Sequence, residues 1–316
     1  MPQELVARIL SVYDVPHTHV AAPQKGYRNA SYAVDGTYNL ILYKSEPGIL
    51  ARIKNANAVG AFVAAAGMPA RAPRSERIVK LTSGDHIKYA ALYNYLPGKT
   101  IPWEAYTMDH IKALGQAMSD MHHALTTYET ASLPDVATES IDLHKRMQRY
   151  FADPNVARAL QQKLGVSSVA GNFADVLAAS KKLPGQQALH MDFVRGNILF
   201  EGSAITGILD FEKAAKGSPL YDVARTLAFL LVDCKYKSEP KIRKYFLQSG
   251  YIKRGAHPIK DYSIGGTSML ESLVDFFLLH DFYKFLRHNP YEYLPQNEHF
   301  VRTKAMLLKR RLITTV

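Results

Sequence analysis

His190-Met191-Asp192-Phe193-Val194-Arg195-Gly196-Asn197-Ile198-Leu199-Phe200, followed by Gly207-Ile208-Leu209-Asp210-Phe211-Glu212, carries most of the legible chemistry of this 316-residue chain. The first run holds H-x-D with an asparagine five residues after the aspartate, and an Asp-Phe pair follows thirteen residues after that asparagine. Transfer of a phosphoryl group from a nucleotide uses one carboxylate beside the acceptor hydroxyl, plus an amide oxygen and a second carboxylate on magnesium. Those three groups occur here in that order. Either half alone is a weak signal. Together they are a strong one, because turn chemistry by itself requires neither His190 nor Asn197 at these intervals.

The spacing has a local physical basis. Ile198 to Phe200 and Ile205 to Leu209 are apolar runs around the turn cluster Glu201-Gly202-Ser203, a pattern that predicts a short hairpin. A hairpin brings its ends together, so Asn197 is expected near Asp210. Two oxygen ligands from one hairpin base suit Mg²⁺, which retains some waters and takes further oxygens from phosphate. Asp192, one loop earlier, is the candidate for the group that faces the acceptor.

With its H-x-D, Asn and Asp-Phe elements in this order, the segment resembles the protein-kinase signature. Arg195-Gly196-Asn197-Ile198-Leu199-Phe200 and the stretch A-A-K-G-S-P-L-Y-D-V-A at 214–224 extend the likeness. The chain resembles the aminoglycoside phosphotransferase and choline kinase family, with the type II homoserine kinase-like branch nearest. The likeness spans nearly the whole chain and is specific around residues 188–225. It implies an α+β, two-lobed protein-kinase-like fold. An N-terminal antiparallel-sheet lobe with a helix would occupy residues 1–96, and a mainly helical C-terminal lobe with the catalytic hairpin residues 97–316. It also implies that Asp192 is the catalytic base, that Asn197 and Asp210 bind magnesium, that His190 braces the loop, and that Asp222 supports it. ATP and Mg²⁺ are the expected partners of the reaction, and a small-molecule hydroxyl the expected acceptor.

Bulk properties agree with a soluble globular protein. Hydrophobic content of 47% and charged content of 21% are ordinary for a globular protein, and the length suits two lobes. One cysteine, Cys234, excludes a disulfide framework and fits a reducing compartment. Glu4 and Arg8 interrupt the first apolar stretch, so no signal peptide is expected there, and Leu227 to Val232 is too short to cross a bilayer. A cytoplasmic monomer or homodimer without membrane attachment is expected. Lys plus Arg number 39 against 28 Asp plus Glu, a net charge of +11. The positive residues are scattered, clustering only at Lys309-Arg310-Arg311, and no zinc-finger or RNP-type motif occurs, which argues against nucleic acid as a partner.

Periodicity predicts an N-terminal helix from Glu4 to Val12, then strands at Thr18–Ala22, Ser31–Val34 and Tyr38–Tyr43, with Asp35-Gly36 as a hairpin turn. Gly48 to Ala66 predicts a long helix that Gly67 ends. Arg77–Thr82 and His86–Tyr95 predict a second hairpin, and Leu96-Pro97-Gly98-Lys99 a hinge. Ile111, Leu114, Met118, Met121 and Leu125 form the buried stripe of an amphipathic helix, on which His122 and His123 lack further metal ligands at suitable spacing. Helices are expected at 156–164, 173–182, 220–232, 241–248 and 269–287.

The loop Lys25-Gly26-Tyr27-Arg28-Asn29-Ala30-Ser31-Tyr32 resembles the family's G-x-x-N-x-x-Y version of a phosphate-covering loop, so Gly26 and Asn29 are candidate nucleotide contacts. Tyr95 lies where the family holds adenine through backbone groups. The likeness frays at strand three, where Ile41 occupies the usual lysine position and Asn57 the usual glutamate position. Both members of a pair whose single loss would strand a buried charge are therefore absent together. Lys44, Lys25 or Arg28 remain as the candidate cation, with Lys44 placed in the nucleotide set.

The acceptor is less defined. A homoserine-like amino alcohol accords with the basic balance. A polycationic aminoglycoside would want an acidic wall, for which Glu271, Asp275 and Asp281 are available, and choline-like or sugar acceptors stay open. A kinase-like nucleotide-binding scaffold without catalysis is the alternative that Ile41 and Asn57 suggest, against the retention of Asp192, Asn197 and Asp210.

Overall fold

The computed structural model describes residues 3–22, 24–25, 29–83, 86–264 and 266–315. They pack as two compact units, Met1–Thr100 with Asn197–Ala214, and Ile101–Gly196 with Ala215–Val316.

Alternation along the strands builds the first unit. Its antiparallel sheet runs in the order β1 (Gln24–Lys25), β2 (Ala30–Val34), β3 (Tyr38–Tyr43), β5 (His86–Asn94), β4 (Val79–Ser83). Asp35 and Gly36 have φ of 48° and 64°, both positive as the central residues of a type I′ turn are, and the three-residue connection Asp35-Gly36-Thr37 sets the register Val34↔Tyr38. One sheet face, with Tyr32, Val34, Leu40 and Leu92, packs against Val6, Ile9 and Leu10 of α1 (Gln3–Val12). The other, with Ile41, Tyr43, Ala91 and Tyr93, packs on Ile49 and Ile53 of α2 (Ile49–Ala65). Gly60 lets α2 lie against the chain that follows it, since a Cβ there would stand 2.3 Å from the Arg71 carbonyl oxygen.

Thr18–Ala22 is not a strand, contrary to the expectation from its apolar content. Only an isolated bridge, Val20↔Val34, forms. The Asp35 carboxylate takes the backbone N–H groups of Thr18 at 3.0 Å and His19 at 2.7 Å, which draws those donors away from a ladder.

The hairpin β8 (Ile198–Glu201) and β9 (Ala204–Ile208) pairs Ile198 with Ile208, as the turn cluster predicts. By its contacts this hairpin packs with the first unit. The Ile208 N–H donates to the Pro69 carbonyl at 2.7 Å, the Arg71 N–H to the Ile208 carbonyl at 2.8 Å, and the Phe200 N–H to the Lys99 carbonyl at 2.9 Å.

The second unit is mainly helical. The α3 stripe Ile111, Leu114, Met118, Met121 and Leu125 is fully buried in α3 (Met108–Ala124) and the turn after it. Nearly every residue of α7 (Leu220–Asp233) is buried, and α9 (Met269–His288) packs along it. Two helices lie outside those expected from the sequence, α4 (Val136–Phe151) and α10 (Glu298–Lys309). Two short strands, β7 (Gln187–Leu189) and β10 (Ala215–Gly217), pair antiparallel at the foot of the Asp192 loop. Cys234 is buried, and burial pushes its thiol up to about 12, leaving it an inert core residue. No helix among the described residues is long and apolar enough to cross a membrane.

Candidate active site

The Asp192 loop is held from beneath by one carboxylate. Asp222, 1% exposed on the first turn of α7, accepts the His190 N–H at 2.8 Å and the Met191 N–H at 2.6 Å. Its Oδ2 also meets His122 Nε2 at 3.1 Å, while His122 Nδ1 lies 2.7 Å from the Tyr251 hydroxyl. Burial pushes the Asp222 carboxyl up, but the hydrogen bond and charge of His122, with those of His190, bring it below its ordinary value. His190 is fully buried, and its Nδ1 accepts the Asp192 N–H at 3.1 Å. Met191 between them sits at φ 59°, a left-handed backbone that a non-glycine residue keeps only when its surroundings impose it. The Thr226 hydroxyl donates to the Phe193 carbonyl at 2.9 Å and closes the far side of the loop.

The Asp192 side chain has one partner that sequence inspection missed. Arg225, one helical turn beyond Asp222, donates from Nη2 to Asp192 Oδ1 at 3.2 Å. His122 was likewise missed as a partner of Asp222. The two are 100 residues apart, and nothing in the helical stripe of α3 distinguishes it from its exposed neighbour His123.

Asn197 and Asp210 belong to the first unit and flank the base of the hairpin. The Leu209 N–H donates to the Asn197 carbonyl at 2.8 Å, which closes that base. Asp210 also has a left-handed backbone, φ 59°, and its Oδ1 accepts the Glu212 N–H at 3.3 Å to start a single turn, Phe211–Lys213. An amide and a carboxylate, both oxygen donors on a rigid hairpin, suit a hard cation that retains waters. Among the described residues no group of three or more His, Cys, Asp or Glu forms a closed protein cage for a metal.

The strand-three position is neutral. Ile41 is 5% exposed, packed with Tyr43, Ile53 and Tyr93. Asn57 Oδ1 accepts the Tyr93 hydroxyl at 2.7 Å, so the Tyr43 hydroxyl donates to Tyr93 at 2.5 Å. This three-residue relay stands where a lysine–glutamate pair is expected. Burial pushes both phenols far above their ordinary value, so neither carries charge at neutral pH. A small cavity, partly open to solvent, lies beside the relay and is lined also by Arg71, Asp210 and Glu212. The Arg71 guanidinium sits 5.7 Å from the Tyr93 ring centroid. A cation therefore shares the cavity with Asp210, from the connection after α2 rather than from the strand.

Asn29 spans two elements of the first unit. Its Nδ2 donates to Glu212 Oε1 at 2.7 Å, and its Oδ1 accepts the Lys44 N–H at 3.1 Å. The Lys44 side chain is exposed. Tyr95 is 41% exposed and its N–H donates to the Thr37 carbonyl at 2.9 Å. Gly26 and Arg28 lie outside the described residues, as does the side chain of Lys25.

A family model described as the phosphotransferase enzyme family matches residues 19–235. The homoserine kinase of Pseudomonas aeruginosa (strain LESB58) is 30% identical over 125 residues, 37% of this chain and 35% of that protein. The chain thus matches about a third of that curated relative's length. An amicoumacin kinase solved with AMP-PNP and Ca²⁺ superposes with a TM-score of 0.67 at 14% identity, covering 98% of this chain and 96% of the other. A microcompartment-associated aminopropanol kinase gives 0.61 at 15% identity over 99% of both chains. An aminoglycoside phosphotransferase bound to GDP and kanamycin gives 0.61 at 15%, covering 98% and 99%. At such identities the solved structures establish the fold, the α+β class with an antiparallel-sheet N-terminal part and a mainly helical C-terminal part.

Proposed function

Because the chain belongs to the phosphotransferase enzyme family, we propose that it transfers the γ-phosphoryl group of ATP to the hydroxyl of a small molecule, with Mg²⁺ as the nucleotide's partner ion. The observation that carries this is the combined H-x-D, Asn and Asp-Phe set at 190–211, each member held by its own backbone hydrogen bonds. Asp192 takes the proton of the acceptor hydroxyl and orients its oxygen for in-line attack. His190 and Asp222 fix the loop that carries it. Asn197 and Asp210 hold Mg²⁺, which when bound neutralises charge on the phosphate oxygens. Such a reaction needs positioning and charge stabilisation more than covalent chemistry from the protein. Asn29 and the backbone near Gly26 and Tyr95 serve the nucleotide. Arg71 supplies the cation of the missing lysine, and exposed Lys44 is the second candidate.

A small amino alcohol or hydroxy amino acid is the favoured acceptor class, the class to which the names of the homoserine and aminopropanol kinases point. The acidic wall that an aminoglycoside would want is already engaged. Glu271 pairs with Arg243 at 2.5 Å, Asp275 with Arg310 at 2.5 Å, and Asp281 with His299 at 2.6 Å. Burial lowers the His299 pKa, but Asp233 and Asp281 together raise it to about 9, so it is an imidazolium at neutral pH.

The test is ATP consumption by the full chain with Mg²⁺ across amino alcohols, hydroxy amino acids, aminoglycosides and sugars, beside thermal shift with nucleotide. Consumption with one acceptor class supports the reading; stabilisation by ATP without consumption across the panel favours the non-catalytic scaffold that Ile41 and Asn57 suggest. The role of Arg71 has its own readout. Arg71→Met should raise KM for ATP about tenfold, the loss of one charged contact, while KM for the acceptor stays within about twofold. An unchanged KM for ATP would return the role to Lys44 or another cation.

A further inference from the structure

Arg225 has more hydrogen-bonding capacity than its surroundings use. Its guanidinium carries five N–H donors. One engages Asp192, and its Nε is buried without a partner. The residue is only 9% exposed, and its guanidinium carbon lies 5.7 Å from the Phe229 ring centroid and 5.6 Å from that of Phe277. A buried guanidinium that keeps an unpartnered N–H after pairing with Asp192 is costly, and the rings beside it strengthen any charge contact by excluding water. The side chains of Arg225 and Asp192 are 11% and 13% exposed, so solvent reaches the edge of the pair. A molecule that offers its hydroxyl to Asp192 therefore comes next to the solvent-reached edge of the guanidinium.

We propose that Arg225 reads a carboxylate on the acceptor, so that the preferred substrate is a short hydroxy acid or hydroxy amino acid and not its decarboxylated counterpart. This rests on Asp192 being the base. A planar carboxylate matches the planar fork in a way that a rounded ammonium or a neutral sugar hydroxyl does not. The engaged state of Glu271, Asp275 and Asp281 points the same way, because those carboxylates are already neutralised within the fold. Arg225 then acts as a clamp with two ends, one orienting the base and one selecting the acceptor.

The experiment compares kcat/KM for matched pairs: L-homoserine with 3-aminopropanol, L-serine with ethanolamine, and 4-hydroxybutyrate with 1-propanol. The full chain is used as wild type, Arg225→Met, Arg225→Lys and Asp192→Asn. Wild type should prefer the carboxylate member of at least one pair by about 10- to 100-fold, the range of a charged hydrogen bond. Arg225→Met should bring that preference within about threefold, chiefly through KM of the carboxylate member, and Arg225→Lys should retain part of it. If the Met variant melts early, the Lys variant carries the test, with a preference below that of wild type through a raised KM of the carboxylate member alone. Equal loss on both members of every pair would reduce Arg225 to a support for Asp192 and overturn the proposal. A rise in KM for ATP instead would assign the fork to phosphate and also overturn it. So would a wild type that prefers the decarboxylated members or accepts none of the pairs. Wild-type rates in Asp192→Asn would instead sink the base assignment, which separates that failure from this one.

Discussion

Asp192→Asn should lower kcat by on the order of 10²- to 10⁴-fold, the range for loss of a positioned general base, while the Kd for ATP with Mg²⁺ stays within about threefold. The substitution keeps the shape of the side chain and removes its capacity to take a proton. The loop has no reason to move. Asp192 is fixed through its main chain, by its N–H on His190 Nδ1 and its carbonyl oxygen on the Val194 N–H at 2.8 Å, and neither bond uses the carboxylate. An amide oxygen at the Oδ1 position still accepts from Arg225 Nη2. The residues proposed to serve the nucleotide and its ion, Asn197, Asp210 and Arg71, are unchanged. Single-turnover rates, calorimetric titration with nucleotide and a melting curve together separate chemistry from binding and from folding. Wild-type turnover in a folded Asp192→Asn protein would end the assignment of Asp192 as base.

What could be read beforehand follows a physical boundary, between order encoded along the chain and order made by distant partners. The Asp35-Gly36 turn, the α3 stripe and the Ile198–Ile208 hairpin are local, so spacing revealed them. Helices α4 and α10 escaped because their core faces are partly polar. Ser140 and His144 lie among the buried residues of α4, and Thr303 lies between Phe300 and Leu307 on α10, so each buried stripe holds polar residues that an apolar count passes over. Strands β7 and β10 are three residues each, too short to alternate, and pair across the intervening hairpin. The same boundary runs through the site. Ile41 and Asn57 disclose in sequence that a charge pair is gone. What stands there instead, the Tyr43–Tyr93–Asn57 relay with Arg71 on the same cavity, assembles from two strands, a helix and a connection and has no spacing to detect. Arg225 is a helical residue one turn from Asp222, and only the folded loop reveals that it meets Asp192.

Asp222→Ala should destabilise the protein by about 3–5 kcal/mol, the range for removing a buried carboxylate and leaving its buried hydrogen-bond partners unsatisfied. Roughly 10 °C of melting temperature is then at stake for a chain of this size. The carboxylate is the common acceptor of two successive backbone N–H groups and of His122, all buried, and alanine leaves each of them without it. Because Met191 holds a left-handed φ of 59° between those two N–H groups, the loop loses the contacts that impose that conformation. Activity should therefore fall with stability, even though Asp222 touches no reacting atom. Asp222→Asn should fall between, since its amide keeps one acceptor but turns a donor toward groups that also donate. The pH dependence gives a second handle. The folded-state pKa of Asp222 lies below the ordinary 3.8, so its contribution is present above that value and lost as pH falls through the lower folded one. The gap in melting temperature between wild type and Asp222→Ala should thus be full at neutral pH and narrow below pH 3.8. A gap under about 1 °C at pH 7 would show that the loop stands without this carboxylate, and the support of Asp192 would have to be sought in His190 and Thr226 alone.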